Sequence, residues 1–400
     1  MDNILKNKIY SSTIGMKIKE RVPKLPEWTY FFALFMYLLS QFAQGTLAIK
    51  RLVPVFLPYW VQMFVALIIV LKVIAFDEYY LKDWFILLFL GIVLWQSGMN
   101  AGELNLFYYY IAIIGAKNID FKKILRFFLV TISSLLILTF IITKLRIIPG
   151  LVFNRGDGAL RYALGTVYPS DLSARCFYLM ITYALLRDYK LKLPEYIGLI
   201  SITIWAYVVT DTKVDLILMV FFLLIAIFYK QTITLLEKIT SIGIAIILGS
   251  AVSFMILMTY FYNPSNHFMK LVDHALSGRF YFSHIAFEKY NVTFLGQYIP
   301  QNGFGGNTSR VFDYFYMDCS YIRILMMLGA FVFLLVVGYL LYLSHMFISK
   351  KYYSLEITLI LIAISSLIDQ HMWEISYNII FLATFATLNS FKHSSKSLSI

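Results

Sequence analysis

Long, continuously apolar stretches recur from residue 28 to residue 391, separated by short segments rich in Lys, Arg, Asn and Gly. A helix crossing the hydrocarbon layer of a bilayer, about 30 Å thick, needs roughly 20 predominantly apolar residues. Stretches of this kind lie at 28–48, 54–76, 84–98, 103–116, 124–143, 172–187, 195–211, 213–229, 239–262, 319–345, 354–370 and 373–391. They predict an all-α integral membrane protein with about a dozen transmembrane helices. Period-2 alternation of apolar and polar residues, the mark of a membrane barrel, is missing from these stretches. Hydrophobic residues make up 60% of the 400 and charged ones only 14%. Soluble domains run near 45–50% apolar and about 25% charged, so lipid has to cover the excess.

Lys and Arg set the expected orientation, because cytoplasmic segments retain them. Residues 1–27 carry Lys6, Lys8, Lys17, Lys19, Arg21 and Lys24 and read as a basic cytoplasmic segment. The first apolar run starts at Trp28 and has no small-residue cleavage site, so it reads as a retained helix and not as a signal peptide. With that end inside, the first nine helices occupy 28–262, the last three occupy 319–391, and 392–400 is a cytoplasmic tail. The formal net charge of +12 then sits beside anionic lipid and calls for no nucleic acid. Cys176 and Cys319 are the two cysteines, too few for a disulfide framework or a thiolate metal site.

Two extracytoplasmic segments, 144–171 and 263–318, are longer than the other connections. Long loops with structure of their own commonly carry function. The second contains Gly278, Pro300, Gly303, Gly305 and Gly306, a turn-forming composition. Phe268, Leu271, Val272 and Ala275 recur within it at helical spacing. The first holds Arg155 and Arg161 ahead of a helix start, with Arg175 a turn inside the apolar run. Arg pairs two oxygens of a phosphate through its planar fork, and a helix N-terminus adds unpaired N–H groups. Arg155 and Arg161 equally suit lipid head groups. Arg175 suits either a ligand or an ion pair with Asp171 or Asp211, since a charge inside an apolar run faces protein.

The second segment supplies Ser277-Gly278-Arg279, then His284, Arg310 and Asp318. Asp318 enters the helix that begins at Cys319, where it either caps the helix or takes a proton from a hydroxyl. Arg323 either snorkels to the interface or pairs with Asp318. His371, between the last two helices, either orients substrate or joins Trp373 in an interfacial belt. No spacing of His, Cys, Asp and Glu matches zinc, no phosphate-binding Gly-Lys-Ser/Thr loop occurs, and no Gly-x-Ser-x-Gly elbow is present.

In layout and in short motifs the chain resembles the Wzy-type O-antigen and capsular polysaccharide polymerases, a family related to the O-antigen ligases. Arg161 to Asp171 is similar to the family's Arg, Gly, His-Pro-Asn pattern, with Tyr168 and Ser170 in place of His and Asn. Ser277-Gly278-Arg279 resembles its Gly-Arg motif. Asp318-Cys319-Ser320-Tyr321 with Gly329 resembles its Asp-Asn-Ser-Tyr helix entry, with Cys319 in place of Asn. Asp369 to Tyr377 resembles its last outer turn. The resemblance implies a membrane glycosyltransferase of GT-C-like arrangement in the bacterial cytoplasmic membrane, free of metal and cofactor. Such an enzyme moves a growing glycan from undecaprenyl diphosphate to a hydroxyl of the next lipid-linked repeat unit. Arg155, Arg161, Arg175 and Arg279 are then candidates for the diphosphate, with Asp318 and Arg279 as the catalytic pair. Tyr321, His284 and His371 are candidates for contacting the acceptor or gating its entry. Expected partners are the lipid-linked oligosaccharide, membrane lipids, and flippase and chain-length-regulator proteins. A ligase would differ by a His where Asp318 stands; a lipid-linked oligosaccharide flippase would show repeated halves and polar residues at mid-membrane.

Overall fold

The computed structural model describes residues 9–10, 12–154, 159–276, 278–308 and 311–391. Arg155, Ser277 and Arg310, singled out above, lie outside the described residues.

Among the described residues the chain is all-α apart from two small antiparallel ribbons. A surface helix α1 (Thr13–Arg21) leads into α2 (Leu25–Gln44), α3 (Leu57–Phe76), α4 (Leu81–Ala101), α5 (Asn105–Gly115) and α6 (Phe121–Lys144). After the ribbon of β3 (Val152–Asn154) and β4 (Leu160–Tyr162) come α7 (Pro169–Leu186), α8 (Leu193–Thr210), α9 (Lys213–Ile227) and α10 (Tyr229–Tyr260). The long second loop carries α11 (His267–Ala275) and α12 (Arg279–Lys289). The chain returns through α13 (Ser320–Arg323), α14 (Ala330–Ser349) and α15 (Tyr353–Ser365). The other ribbon pairs β1 (Ile9–Tyr10) with β2 (Tyr79–Tyr80).

α6 illustrates why these helices belong in lipid. The Asp120 carboxylate caps it by accepting from the Lys123 N–H at 3.2 Å, a local bond that starts the helix. Phe121, Ile124, Leu125, Phe128 and Ile132 are buried at helical spacing, yet Val130, Ile137, Leu138 and Ile141 on other faces are exposed and equally apolar. A helix apolar all round needs apolar surroundings on both sides. Six helices among the described residues are long and apolar enough to cross a membrane: α3, α4, α6, α8, α10 and α14. α5 and α15 are shorter apolar helices.

The last apolar run departs from expectation. Residues 373–391 form no continuous helix but a chain of single turns, His371–Trp373, Ile380–Thr384 and Asn389–Phe391. Asn378 explains the interruption. Its amide donates to the Met372 carbonyl at 2.6 Å and accepts from the Ile380 N–H at 3.2 Å, competing with the helical ladder. Ile375 to Ala383 is buried throughout, and irregular backbone at membrane depth is tolerated where protein encloses it. The run at 319–345 is likewise divided, by a π turn at Ile324–Leu328 and a break at Gly329. α10 begins ten residues before its apolar run and bends at Thr240, whose φ is 63°.

The cations within apolar runs are accounted for individually. Lys72 donates to Asp77 at 2.8 Å and to the carbonyls of Gly115 and Lys117. Arg323 pairs with Glu103 at 2.7 Å and not with Asp318. Arg175 pairs with neither Asp171 nor Asp211 among the described residues; its guanidinium lies between the rings of Phe42 and Tyr377, at 4.4 and 4.2 Å.

Candidate functional site

At the C-terminal end of α2, remote from α1, the helix ends and the two long loops enclose a cavity of about 490 Å³. That lies within the range of about 300–1,000 Å³ usual for ligand sites. Its walls come from the α4–α5 turn, the starts of α7 and α9, the approach to α13 and the segment 369–377.

The approach to α13 is extended and alternates. Tyr314, Tyr316 and Asp318 line the cavity, while Phe315 and Met317 are buried behind them. This is the period of an extended chain. Its register is held by the bridge between Asn302 and Phe315, and by the Met317 N–H donating to the Gln301 side-chain Oε1 at 2.9 Å.

Asp318 does not cap α13: Cys319 is the capping residue, without a side-chain bond. Its carboxylate faces the cavity with 38% of its side-chain surface exposed, 3.9 Å from the Arg279 Nε. Burial pushes the Asp318 carboxyl above its ordinary pKa; Arg279 opposes that and Asp369 adds to it. A base with a raised pKa holds a proton more firmly once it has taken one.

Arg279 is anchored by donating from Nε to the Ile368 carbonyl at 2.5 Å and from Nη1 to the Leu276 carbonyl at 2.9 Å. Its Nη2 stands 4.0 Å from Asp369. Burial disfavours its charge, but Asp318, Asp369 and Asp215 outweigh that and raise its pKa. With Nε and Nη1 donating to backbone carbonyls and two carboxylates within 4.0 Å, the Arg279 charge is already partly balanced, and its nearest anionic neighbours are Asp318 and Asp369.

Arg161 lines the same cavity. β4 places it against the end of α8, where its Nε donates to the Thr210 carbonyl at 2.8 Å and its Nη1 to the Tyr168 hydroxyl at 3.3 Å. Two helix N-termini also face the space, those of α7 through Tyr168, Ser170 and Asp171, and of α9 through Thr212, Lys213 and Val214. The Tyr168 N–H is satisfied by Asp171 at 3.1 Å. Lys213, exposed at the rim, is a cation that sequence reading passed over; its place in the first turn after Asp211-Thr212 is the signal that could have found it.

His371 belongs to the cavity wall and not to an interfacial belt. It is buried, stacks on Tyr377 at 3.7 Å between ring centres, and lies 3.2 Å from Glu374. Phe42, Arg175, Tyr377 and His371 thus form one stack, with only the Tyr377 and His371 end lining the cavity. Burial opposes a charge on His371, but Glu374, Asp369 and Asp171 overcome it and lift its pKa to about 9. Arg175 sits behind the wall, close to Gly45: a Cβ there would come within 2.5 Å of the Arg175 Nη2 and make the guanidinium shift. Tyr321 is buried outside the cavity with its hydroxyl on the Ala363 carbonyl. His284 is also outside, against the Thr259 carbonyl and Glu288. Of the sequence candidates, Arg161, Arg279, Asp318 and His371 come together; Arg175, Tyr321 and His284 do not.

Comparison with known proteins finds no family model that matches the chain, and no curated protein or solved structure that is similar to it.

Proposed function

We propose that this chain is a bacterial membrane glycosyltransferase that polymerises lipid-linked saccharide units without a metal. The observation that carries the reading is Asp318. It is a carboxylate with no hydrogen bond among the described residues, held beside an anchored arginine and facing a polar cavity. The acceptor hydroxyl attacks the anomeric carbon of the donor glycan while the bond from that carbon to the diphosphate oxygen breaks. Asp318 takes the hydroxyl proton, and the diphosphate leaves with the bonding electrons. Lys213 and the N-termini of α7 and α9 are the groups that meet that developing charge, and Arg161, held by Thr210 and Tyr168, adds its positive charge from the wall. Arg279 serves by fixing Asp318, and protonated His371 donates toward substrate from the neighbouring segment 369–377, which is hydrogen-bonded to Ser320.

An apolar groove of about 400 Å³ between α3, α4 and α5, lined by Val73, Trp84, Leu87, Ile92, Trp95 and Phe107 among others, suits a prenyl chain in an enzyme of this kind. The remaining helices and the descending segment 380–391 complete twelve crossings in a GT-C-like arrangement, with the cavity on the outer face and both termini in the cytoplasm. In this reading a flippase and a chain-length regulator work alongside it.

Deleting the gene and resolving lipid-linked and surface glycan on gels tests the proposal. Loss of long polymer with single repeat units still reaching the surface supports it. Repeat units trapped inside would make the chain a flippase, and long polymer retained on its lipid carrier would make it a ligase.

A further inference from the structure

The cavity has an aromatic side that the chemistry above does not use. Phe304 and Tyr168 stack at 5.4 Å with 11° between their planes. Phe304 also meets Tyr314 at 5.1 Å, and Phe153 braces Tyr168 from behind at 4.7 Å. Tyr168, Phe304 and Tyr314 all line the cavity, and each keeps part of its surface uncovered. Two distant loops contribute: Phe153 and Tyr168 precede α7, whereas Phe304 and Tyr314 belong to the long second loop. Phe304 is presented on a turn between Gly303 and Gly305, closed by the Asn307 N–H donating to the Phe304 carbonyl at 2.8 Å.

Aromatic surface left open toward a polar cavity calls for a particular partner. A lipid chain would want apolar walls on every side, which the α3–α5 groove offers and this cavity does not. Neutral amides line the same cavity, Gln41, Gln44, Asn105, Gln301 and Gln370, and the Arg161 guanidinium lies 5.3 Å from the Tyr168 ring centre. The Gln44 Nε2 is a buried donor without a partner among the described residues. A pyranose matches this arrangement: one face presents C–H groups to a ring, while its rim of hydroxyls both donates and accepts hydrogen bonds. Tyr314, Tyr316 and Asp318 occupy alternate positions of one extended stretch and line the same cavity. The row leads from the aromatic face to the carboxylate.

We propose that Tyr168, Phe304 and Tyr314 form a platform on which a sugar ring of the acceptor unit stacks, with its reacting hydroxyl turned toward Asp318. The proposal rests on the glycosyltransferase reading and names the acceptor subsite within it. Selectivity among saccharides then comes from which ring face is free of axial hydroxyls, and the amides read the rim.

The test uses the full chain in nanodiscs. The probe is the repeat-unit oligosaccharide released by mild acid from the host's own lipid-linked units. Saturation-transfer NMR should show ring C–H protons of one sugar receiving magnetisation from the wild type. Phe304→Leu, which keeps an apolar side chain but no ring, should weaken binding about tenfold, equivalent to roughly 1.4 kcal/mol; Phe304→Trp should restore it. In membranes, Phe304→Leu should raise the half-saturating concentration of lipid-linked unit by a similar factor with the limiting rate kept. Binding and polymerisation by Phe304→Leu equal to wild type, at matched protein level, would overturn the platform and leave the glycosyltransferase reading standing. So would tetramethylammonium displacing the oligosaccharide, since the rings would then be a cation cage. Long polymer persisting in the deletion strain would instead remove the underlying reading, whatever Phe304 does.

Discussion

Asp318 and Arg279 are separated in the chain by a long loop, yet each makes sense only through the other. Asp318→Asn keeps the shape and removes the ability to take a proton. Polymer formation should fall roughly 10²–10⁴-fold, the usual contribution of a general base, read as single repeat units accumulating on gels. The same variant should be at least as heat-stable as wild type near neutral pH. A carboxyl whose folded pKa is raised favours the fold when protonated and loses that contribution as pH rises through its folded pKa. Arg279→Lys should also abolish polymer, because one ammonium cannot hold the Ile368 and Leu276 carbonyls while standing between Asp318 and Asp369. His371 gives a separate pH signature. Its folded pKa of about 9 exceeds the ordinary 6.5, so its stabilisation is complete below pH 6.5 and lost as pH rises through 9. Melting of the detergent-solubilised protein across that window should fall more steeply for wild type than for His371→Gln. Residue types pointed to Arg161, Arg279 and Asp318 because charge is conspicuous in so apolar a chain. Arg175 was conspicuous for the same reason, but two aromatic rings absorb it behind the wall. Nothing local in sequence distinguishes those two outcomes.

At the scale of elements, apolar length was a good guide wherever a helix faces lipid and a poor one where protein surrounds it. α3, α4, α6 and α8 follow their apolar runs to within a few residues. The run at 373–391 is just as apolar, yet Asn378 diverts its backbone and buried neighbours replace lipid as its surroundings. The break before α14 has an equally local cause. Gly329 has φ 92° and ψ 164°, a region open almost only to glycine. A Cβ there would meet the Gly296 nitrogen at 2.4 Å and the Phe294 carbonyl oxygen at 2.6 Å. Residues 293–297 lie across this point, with Gln297 N–H on the Met327 carbonyl and Ala330 N–H on the Thr293 carbonyl, both at 2.9 Å. Gly329→Ala should cost about 1–3 kcal/mol from backbone strain alone, before any cost of parting the two segments. A lowered melting temperature and reduced membrane level would register it, whereas Gly338→Ala, with nothing within 4 Å of the added carbon, should be silent.

For the molecule as a whole, one geometric fact organises the rest: the two longest connections and the cavity share one end of the bundle. The opposite end has the short turns at 77–80, 116–120 and 187–192, which carry Lys117, Arg187, Lys190 and Lys192. The proposed function needs that basic end inside, as retention of Lys and Arg in the cytoplasm favours, and the cavity outside. Sequence reading could see the charge asymmetry, because each turn carries it locally; the gathering of both long loops around one space depends on packing and was not visible. The arrangement is testable by single cysteines, since Cys176 and Cys319 are both buried. In a background with both replaced by Ala, Lys82→Cys and Lys190→Cys should react with a membrane-impermeant maleimide only after the membrane is opened. Ser265→Cys and Asn307→Cys should react in intact cells. All four positions are exposed, so access and not burial decides the labelling. Labelling of the first pair in intact cells would invert the molecule and put the cavity on the cytoplasmic face, where activated sugars are plentiful and a polymerase of exported units would have no substrate.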